Sequence, residues 1–269
     1  MADNDKLLII GCGNMGGAML AGWLAAGQDP GRFAVLDPVL SETPAGVALY
    51  RAPSEASDHG AVLLGFKPQQ LPALAPGLQA VTEGRAVFSL LAGIELASLA
   101  HEFPRASAHV RVMPNLAARL NKSPVILLES GLSSSARDVA HSLFGALGTA
   151  IWLEDEAQFN LVTALAGSGP GFVYRFIDAL AQAAAELGLT PEMAESLALA
   201  TVEGASALAA ASEYSPAELA DRVASPGGMT REGLNVLDSD KALISLLKAT
   251  LKATADKGDA LAEAAKGQS

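Results

Sequence analysis

The first 153 residues alternate short apolar segments with segments of helical periodicity. Eight apolar segments have the length of a β-strand, and turns marked by glycine or proline separate them from predicted helices such as residues 17–26 and 134–147. This alternation is typical of βαβ units and predicts an α/β domain with a parallel sheet. The eight predicted strands cover residues 6–10, 33–37, 47–50, 61–66, 86–91, 109–113, 125–128 and 150–153.

From residue 155 onward the periodicity is helical. Pro170 and Pro191 stand at positions typical of the first turn of a helix, and Ser215 with Glu218 forms a capping-box pattern. Residues 240–264 carry an apolar stripe, which predicts a closing amphipathic helix. The chain is therefore expected to contain an α/β domain over residues 1–154 and an all-α domain over residues 155–269.

A glycine motif directly follows the first predicted strand. The segment GCGNMG at residues 11–16 matches G-x-G-x-x-G and opens a predicted helix, which is the context that gives this motif its meaning. Gly11 permits a tight turn, Gly13 lets a pyrophosphate approach the backbone, and Gly16 lets helix and strand pack closely. These features predict a Rossmann-type dinucleotide-binding domain. An ordinary glycine-rich turn between a strand and a helix is the alternative.

Asp37 ends the second predicted strand, about 20 residues after Gly16. A carboxylate at this point can accept hydrogen bonds from an adenosine ribose, and it repels a 2′-phosphate. The next basic residue, Arg51, lies well further along the chain, so no cation is expected beside Asp37. The predicted cofactor is NADH or NADPH, with NADH favoured. The alternative for Asp37 is a solvated turn residue before Pro38.

Three further loops could bind ligands. Residues 66–69 and 92–93 follow the fourth and fifth predicted strands, at the carboxyl edge where open parallel sheets bind ligands. Residues 225–230, SPGGMT, lie between two predicted helices and are called the 225–230 loop below. Two adjacent glycines before a helix form a backbone nest that can bind a carboxylate. Thr230 is expected either to cap that helix or to present its hydroxyl to a ligand, although a plain interhelical turn explains the loop equally well.

Composition excludes several classes of partner. The formal net charge is −11, whereas nucleic acids and anionic membranes need a local excess of Lys and Arg. Residues 7–28 carry no charge, but six glycines and Asn14 interrupt them, and the preceding segment is acidic rather than basic. A single cysteine, Cys12, and four histidines without ligand spacing predict no metal site. The chain is expected to be a cytoplasmic protein.

Six segments in fixed order carry a resemblance to a known family. The glycine motif comes first and the 225–230 loop, followed by Leu237-Asp238, comes last. The segments between them are residues 66–69, 89–94, 112–115 and 163–170. Over nearly its whole length the chain resembles the pyrroline-5-carboxylate reductases, and the segment around the 225–230 loop is close to that family's signature.

The resemblance, together with the reading of the glycine motif and Asp37, assigns site residues. Thr230 is the catalytic candidate because its hydroxyl is expected to contact the imine nitrogen. Arg222 departs from the Asn expected there, and Ala52 from the Asn of NADPH-using members. The cofactor-binding residues are Gly11, Gly13, Asn14, Met15, Gly16, Asp37, Phe66, Lys67, Pro68, Gln69, Ala92 and Gly93. The substrate-binding residues are Gly228, Met229, Thr230, Glu213, Glu156 and Arg222.

The activity implied is hydride transfer from NAD(P)H to the C=N carbon of 1-pyrroline-5-carboxylate, giving L-proline. Two alternatives stay open: a reductase of another cyclic imine such as a piperideine carboxylate, and a non-catalytic dinucleotide-binding regulatory protein. Apolar positions surround the first helix beyond residue 155, so it needs several packing partners. The resemblance implies a homodimer whose interleaved helical domains complete each active site, with dimers gathering into larger rings. A compact monomer is the alternative.

Overall fold

The computed structural model describes residues 6–56 and 58–266 and divides them into two compact units. The first unit holds the described residues up to Gly167 and those from Thr254 onward, and the second is Ser168–Ala253. The division therefore differs from the predicted boundary at residue 154. The physical reason is that Phe159 is buried in one cluster with Ile126 and Leu128, which attaches this segment to the sheet.

The first unit is built on a single eight-stranded sheet. Its strands are β1 Leu7–Ile10, β2 Phe33–Leu36, β3 Ala48–Tyr50, β4 Ala61–Leu64, β5 Ala86–Ser89, β6 Ala108–Met113, β7 Ser123–Ser130 and β8 Gly148–Trp152. Each corresponds to one of the eight predicted strands. Their order in the sheet is β3-β2-β1-β4-β5-β6-β7-β8.

One neighbouring pair departs from the predicted parallel arrangement. Strands β6 and β7 are antiparallel, with Val112 opposite Leu127, while the other neighbouring pairs are parallel. The connection between them is a single 3-10 helix, Leu116–Leu120, followed by Asn121 with a φ of +57°. A parallel crossover needs a connection of about a dozen residues or more, so this short link turns the chain back on itself. The prediction of a wholly parallel sheet is wrong at this pair.

Helices cover both faces of the sheet. They are α1 Asn14–Ala25, α2 Leu71–Thr82, α3 Leu96–Glu102, α4 Ser134–Gly145 and α5 Phe159–Val162. Strands β1, β2, β4 and β5 are buried at every position, as expected for strands covered on both sides. One core cluster contains Trp23 stacked on Phe33 at 5.1 Å, and a second contains Leu78 and Phe103. These two clusters form most of the hydrophobic core of the first unit.

The second unit is helical. Its helices are α6 Gly169–Glu186, α7 Pro191–Ala211, α8 Pro216–Val223, α9 Met229–Asp238 and the first part of α10 Ala242–Lys266. Helices α6 and α7 pack through small residues, with Ala181, Ala194 and Ala198 buried together. The capping box predicted at Ser215 is present, with both of its reciprocal hydrogen bonds to Glu218. Within the described part of the chain, no helix combines the length and apolarity needed to cross a bilayer.

Candidate cofactor and substrate site

The turn between β1 and α1 favours glycine at two of its positions. Gly11 has a φ of +82°, and a Cβ there would lie 2.9 Å from the backbone nitrogen of Phe66. A Cβ on Gly16 would approach the carbonyl oxygen of Gly11 to 3.1 Å. Because a side chain at Gly11 would be strained and would also collide with backbone, this glycine is what lets β1, α1 and the loop after β4 meet.

Gly13 faces open space. It is the N-cap of α1, and a Cβ built on it would meet no atom within 4 Å. The next two residues, Asn14 and Met15, begin the helix, whose first N–H groups have no acceptor within the helix. The first turn of α1 carries no acidic residue. Open space in front of unpaired N–H groups at a helix N-terminus fits the pyrophosphate of a dinucleotide.

Asp37 lies directly after β2, and its carboxylate accepts hydrogen bonds from backbone N–H groups of two turns. Its Oδ2 accepts a hydrogen bond from the N–H of Cys12 at 3.0 Å, and its Oδ1 accepts from Val39 at 2.9 Å and Leu40 at 3.0 Å. Burial opposes the charged carboxylate, but these hydrogen bonds and the positive charge of Arg51 outweigh burial and lower the pKa of Asp37. Asp37 is therefore ionised at neutral pH and joins its own loop to the glycine turn.

Arg51 lies beside Asp37, so the expectation that no cation accompanies this carboxylate is wrong. Its Nη1 lies 2.7 Å from the carbonyl oxygen of Asp37 and 2.5 Å from that of Leu40. The two residues meet because β2 and β3 are adjacent parallel strands, with Leu36 opposite Tyr50. Distance along the chain gave no indication of this contact. A carboxylate and a guanidinium thus stand together at the carboxyl end of β2.

Residues 66–69 and 92–93 follow β4 and β5 at the same edge of the sheet as Asp37. Phe66 packs partly against the core, and the N–H of Lys67 donates to the side-chain oxygen of Gln70 at 3.1 Å. Pro68 and Gln69 then begin a 3-10 helix, Pro68–Gln70, that leads into α2. Ala92 is exposed, and Gly93 has a φ of +75°. The fold therefore brings these two loops and the glycine turn to one edge.

Glu156 is held by a buried arginine. Its Oε1 lies 2.7 Å from Nη1 of Arg111 and 3.0 Å from the backbone nitrogen of Leu96. The Arg111 side chain is only 5% exposed and its guanidinium lies 3.7 Å above the ring of Phe159. Burial lowers the pKa of Arg111, although Glu156 favours its charged form. These contacts join β6 to the start of α3, so Glu156 has a structural role within the first unit.

The 225–230 loop joins α8 to α9. Gly227 has a φ of +71°, and the N–H of Gly228 donates to the carbonyl oxygen of Ser225 at 2.9 Å. A Cβ on Gly228 would lie 2.7 Å from the Ser225 hydroxyl oxygen. The turn leaves Gly228 extended, so Gly228 is the N-cap of α9 and Thr230 is its second residue. The expectation that Thr230 could cap this helix is wrong; its side chain is exposed, like that of Met229.

Comparison with known proteins identifies the family. Residues 156–261 match the family model for pyrroline-5-carboxylate reductase dimerisation. The chain is 34% identical to a pyrroline-5-carboxylate reductase of Pseudomonas aeruginosa, over 96% of this chain and 97% of that protein. This chain belongs to the pyrroline-5-carboxylate reductase family. It is also 32% identical to pyrroline-5-carboxylate reductase 2 of Bacillus subtilis, over 97% of this chain and 98% of that protein.

Solved structures of the same family share the fold. A pyrroline-5-carboxylate reductase from Coxiella burnetii is 30% identical, and it superimposes with a TM-score of 0.90 over 96% of this chain and 99% of that one. The enzyme of Plasmodium falciparum, solved with NADP bound, is 23% identical and superimposes with a TM-score of 0.81 over 97% of this chain and 99% of that one. An α/β sheet followed by a helical region is therefore the family fold.

Two predicted substrate residues of this family member lie in the second unit near each other in sequence. Glu213 is exposed in the loop between α7 and α8. Arg222 lies on α8 with its guanidinium 3.5 Å above the ring of Tyr214. This cation–π contact holds Arg222 against Tyr214, the residue that follows Glu213. Glu156, by contrast, belongs to the first unit.

Sequence reasoning missed several residues that shape these sites. Gly65 is one, because a Cβ there would lie 2.4 Å from the carbonyl oxygen of Gly11. Arg111 is another, and a charge inside the apolar run of β6 is a signal that could have identified it. The ion pair between Asp221 and Arg231, at 2.8 Å, left no signal in the sequence.

Proposed function

We propose that this chain reduces 1-pyrroline-5-carboxylate to L-proline with NAD(P)H, the last step of proline biosynthesis. The observation that carries the proposal is the 34% identity to the Pseudomonas aeruginosa reductase over almost the full length of both chains. The proposal is supported by the two segments on which the chemistry would depend, the glycine turn and the 225–230 loop, because each leads into the N-terminus of a helix. A protein that only sensed a dinucleotide would not need the second of them.

The residues of the chain bind and orient the reactants. The cofactor, when bound, supplies a hydride to the imine carbon. The first N–H groups of α1, at Asn14 and Met15, bind its pyrophosphate, and the loops at 66–69 and 92–93 line its path. The N–H groups of Met229 and Thr230, at the start of α9, bind the substrate carboxylate.

Thr230 acts at the imine nitrogen. As the hydride bonds to carbon, the π electron pair of the C=N bond moves to nitrogen, and this nitrogen takes up protons from solvent water to end the reaction as a protonated amine. A hydrogen bond from the Thr230 hydroxyl to that nitrogen stabilises this developing electron density. Glu213 and Arg222 lie at positions that border the substrate in this proposal. Glu156 acts indirectly, because its carboxylate is bound by Arg111.

NADH is the preferred cofactor in this proposal. Asp37 is ionised, and its negative charge at the end of β2 opposes a 2′-phosphate. Arg51 is a cation beside Asp37 that could favour a 2′-phosphate, but its Nη1 donates to the carbonyl oxygens of Asp37 and Leu40. The carboxylate keeps acceptor capacity for a ribose hydroxyl at Oδ2, which accepts one of its three backbone hydrogen bonds, while this guanidinium nitrogen donates to the protein backbone.

The active protein is a homodimer formed through the helical unit. The matching family model is described as a dimerisation region. Helix α6 supports this, because several of its large apolar side chains are between 39% and 66% exposed in the single chain, and a soluble monomer rarely leaves such a patch uncovered. These side chains are Val173, Tyr174, Phe176 and Leu180. The larger ring of dimers and the cytoplasmic location stay predictions.

The decisive experiment follows NADH oxidation with two substrates, 1-pyrroline-5-carboxylate and its six-membered homologue, a piperideine carboxylate. We expect the higher kcat/KM with the five-membered ring. A higher kcat/KM with the six-membered ring would identify a reductase of another cyclic imine. Binding of NADH without oxidation in the presence of either imine would identify a regulatory protein.

A further inference from the structure

An ion pair joins the two helices that flank the 225–230 loop. Nη2 of Arg231, in the first turn of α9, lies 2.8 Å from Oδ1 of Asp221 in the last turn of α8. The same Nη2 lies 3.4 Å from the carbonyl oxygen of Ala224, the C-cap residue of α8. One guanidinium therefore contacts both the side chain and the backbone at the end of the preceding helix, across the loop.

The chain enters and leaves the loop at the two residues that this contact connects. Ala224 is buried, with 3% exposure, and Arg231 follows Thr230 directly. The backbone N–H of Arg231 also donates to the carbonyl oxygen of Gly228 at 3.1 Å. The backbone N–H of Arg231 thus contacts Gly228 within the loop, and its side chain contacts Ala224 just before the loop begins. Without the side-chain contact, the glycines at 227 and 228 leave the loop free to take other conformations.

We propose that Arg231 is a positioning residue for imine reduction. Its pairing with Asp221 holds the 225–230 loop in the conformation that aims the N–H groups of Met229 and Thr230 at the substrate carboxylate. This inference rests on the proposed function. It assigns to Arg231 no contact with the substrate, because its guanidinium is directed to α8.

Three variants test the proposal. R231Q removes the ion pair and should raise the KM for 1-pyrroline-5-carboxylate by about tenfold, with the KM for NADH within about twofold of wild type, since misplaced binding groups lose productive geometry. R231K keeps the charge on a more flexible and more strongly hydrated ammonium group, so it should rescue part of the loss. D221N changes a side chain that is 72% exposed, so it should fold, and it should raise the same KM.

D221N separates positioning from direct binding. If Arg231 bound the substrate itself, loss of its partner would leave the KM unchanged or lower it. If the pair positions the loop, the double variant D221N/R231Q should show a KM no higher than that of R231Q alone, because both changes remove one interaction. R105Q is the matched control, since it breaks an exposed ion pair of the first unit, with Glu83, and should leave the KM for the imine unchanged.

The outcomes are distinct. An active wild type with an unchanged imine KM in both R231Q and D221N would overturn this inference alone. Equal increases in the KM for NADH and for the imine would overturn it too, because they would indicate a general structural defect. A wild-type protein that does not reduce 1-pyrroline-5-carboxylate would overturn the proposed function, and this inference with it.

Discussion

Two polar side chains, the exposed Thr230 and the partly buried Asp37, decide the chemistry and the cofactor preference in the proposed reaction. Their surroundings differ in a way that matters for mutagenesis. Thr230 follows an N-cap that is already supplied by Gly228, so its hydroxyl has no capping role. Asp37 accepts three backbone hydrogen bonds, so its carboxylate is also structural.

Thr230→Ala should reduce turnover of the imine and leave cofactor affinity nearly unchanged. Loss of one hydrogen bond to a partly charged group costs roughly 1.5–3 kcal/mol, or about ten- to a hundredfold in kcat/KM. Thr230→Ser keeps the hydroxyl and should retain most of the activity. Steady-state kinetics with both substrates checks this, and an equal loss of NADH affinity would show that Thr230 does not act on the imine alone.

Asp37→Ser should improve the use of NADPH relative to NADH, because the charge that repels a 2′-phosphate is removed. Asp37→Asn is a milder variant that keeps an acceptor for Cys12 or for Val39. Arg51→Gln should change the cofactor preference little, because the Arg51 guanidinium donates to backbone carbonyl oxygens. The ratio of kcat/KM for the two cofactors is the measurement. A wild type that already prefers NADPH would contradict the argument from Asp37.

At the scale of elements, close backbone contacts set how the helices of the first unit pack against neighbouring segments. Helix α1 rests on the 3-10 helix Leu116–Leu120 through Gly22, where a Cβ would lie 2.1 Å from the carbonyl oxygen of Ala118. Asn121, with its positive φ, donates to the carbonyl oxygens of Gly22 at 2.8 Å and Ala146 at 2.7 Å. This contact links α1, the β6–β7 connection and the end of α4.

Gly22→Ala should therefore destabilise the protein although alanine is the better helix former. The added methyl group forces backbone apart, and such overpacking costs about 1–3 kcal/mol. Gly77→Ala is the matched control, because Gly77 lies within α2 and a Cβ there meets nothing within 4 Å. It should stabilise by about 0.5–1 kcal/mol. Denaturant unfolding of both variants gives the comparison, and equal effects of the two changes would refute the packing argument.

At the scale of the whole molecule, the exposed apolar surface of the helical unit determines the oligomeric state that we expect. Helix α6 leaves Phe176 51% exposed and Tyr174 66% exposed in the single chain. Helix α10 adds Ile244 at 67% and Leu246 at 66%. Several large apolar side chains exposed on two helices are typical of a surface that another chain covers.

Light scattering at micromolar concentration should give a mass at least twice the 27.4 kDa of one chain. Phe176→Glu should shift the mass toward the monomer and reduce activity together, because it places a charge on the apolar face of α6. Val39→Glu is the control, since Val39 is 87% exposed in the first unit and should leave the mass unchanged. A stable and fully active species of one chain would rule out the dimer and its shared site.

The sequence by itself determined the elements and most of the local chemistry. Runs of apolar residues predict the eight strands, and β1, β2, β4 and β5 give the clearest runs because they are buried at every position. The glycines at 11, 13 and 16 and the capping box at Ser215 are local patterns that can be recognised within a few residues of sequence. The family resemblance carried by the 225–230 loop, confirmed by comparison, is of the same local kind.

Only the tertiary structure decided how distant segments meet. Arg51 reaches Asp37 because β2 and β3 are adjacent, and the short link at residues 114–122 makes β6 and β7 antiparallel. Arg111 is buried against Glu156, 45 residues away, and Arg231 pairs with Asp221 across a loop. Hydrogen bonds and ion pairs act over a few ångströms in space and have no fixed spacing along the chain. A charged residue's partner is therefore set by how the elements pack, which composition and periodicity do not encode.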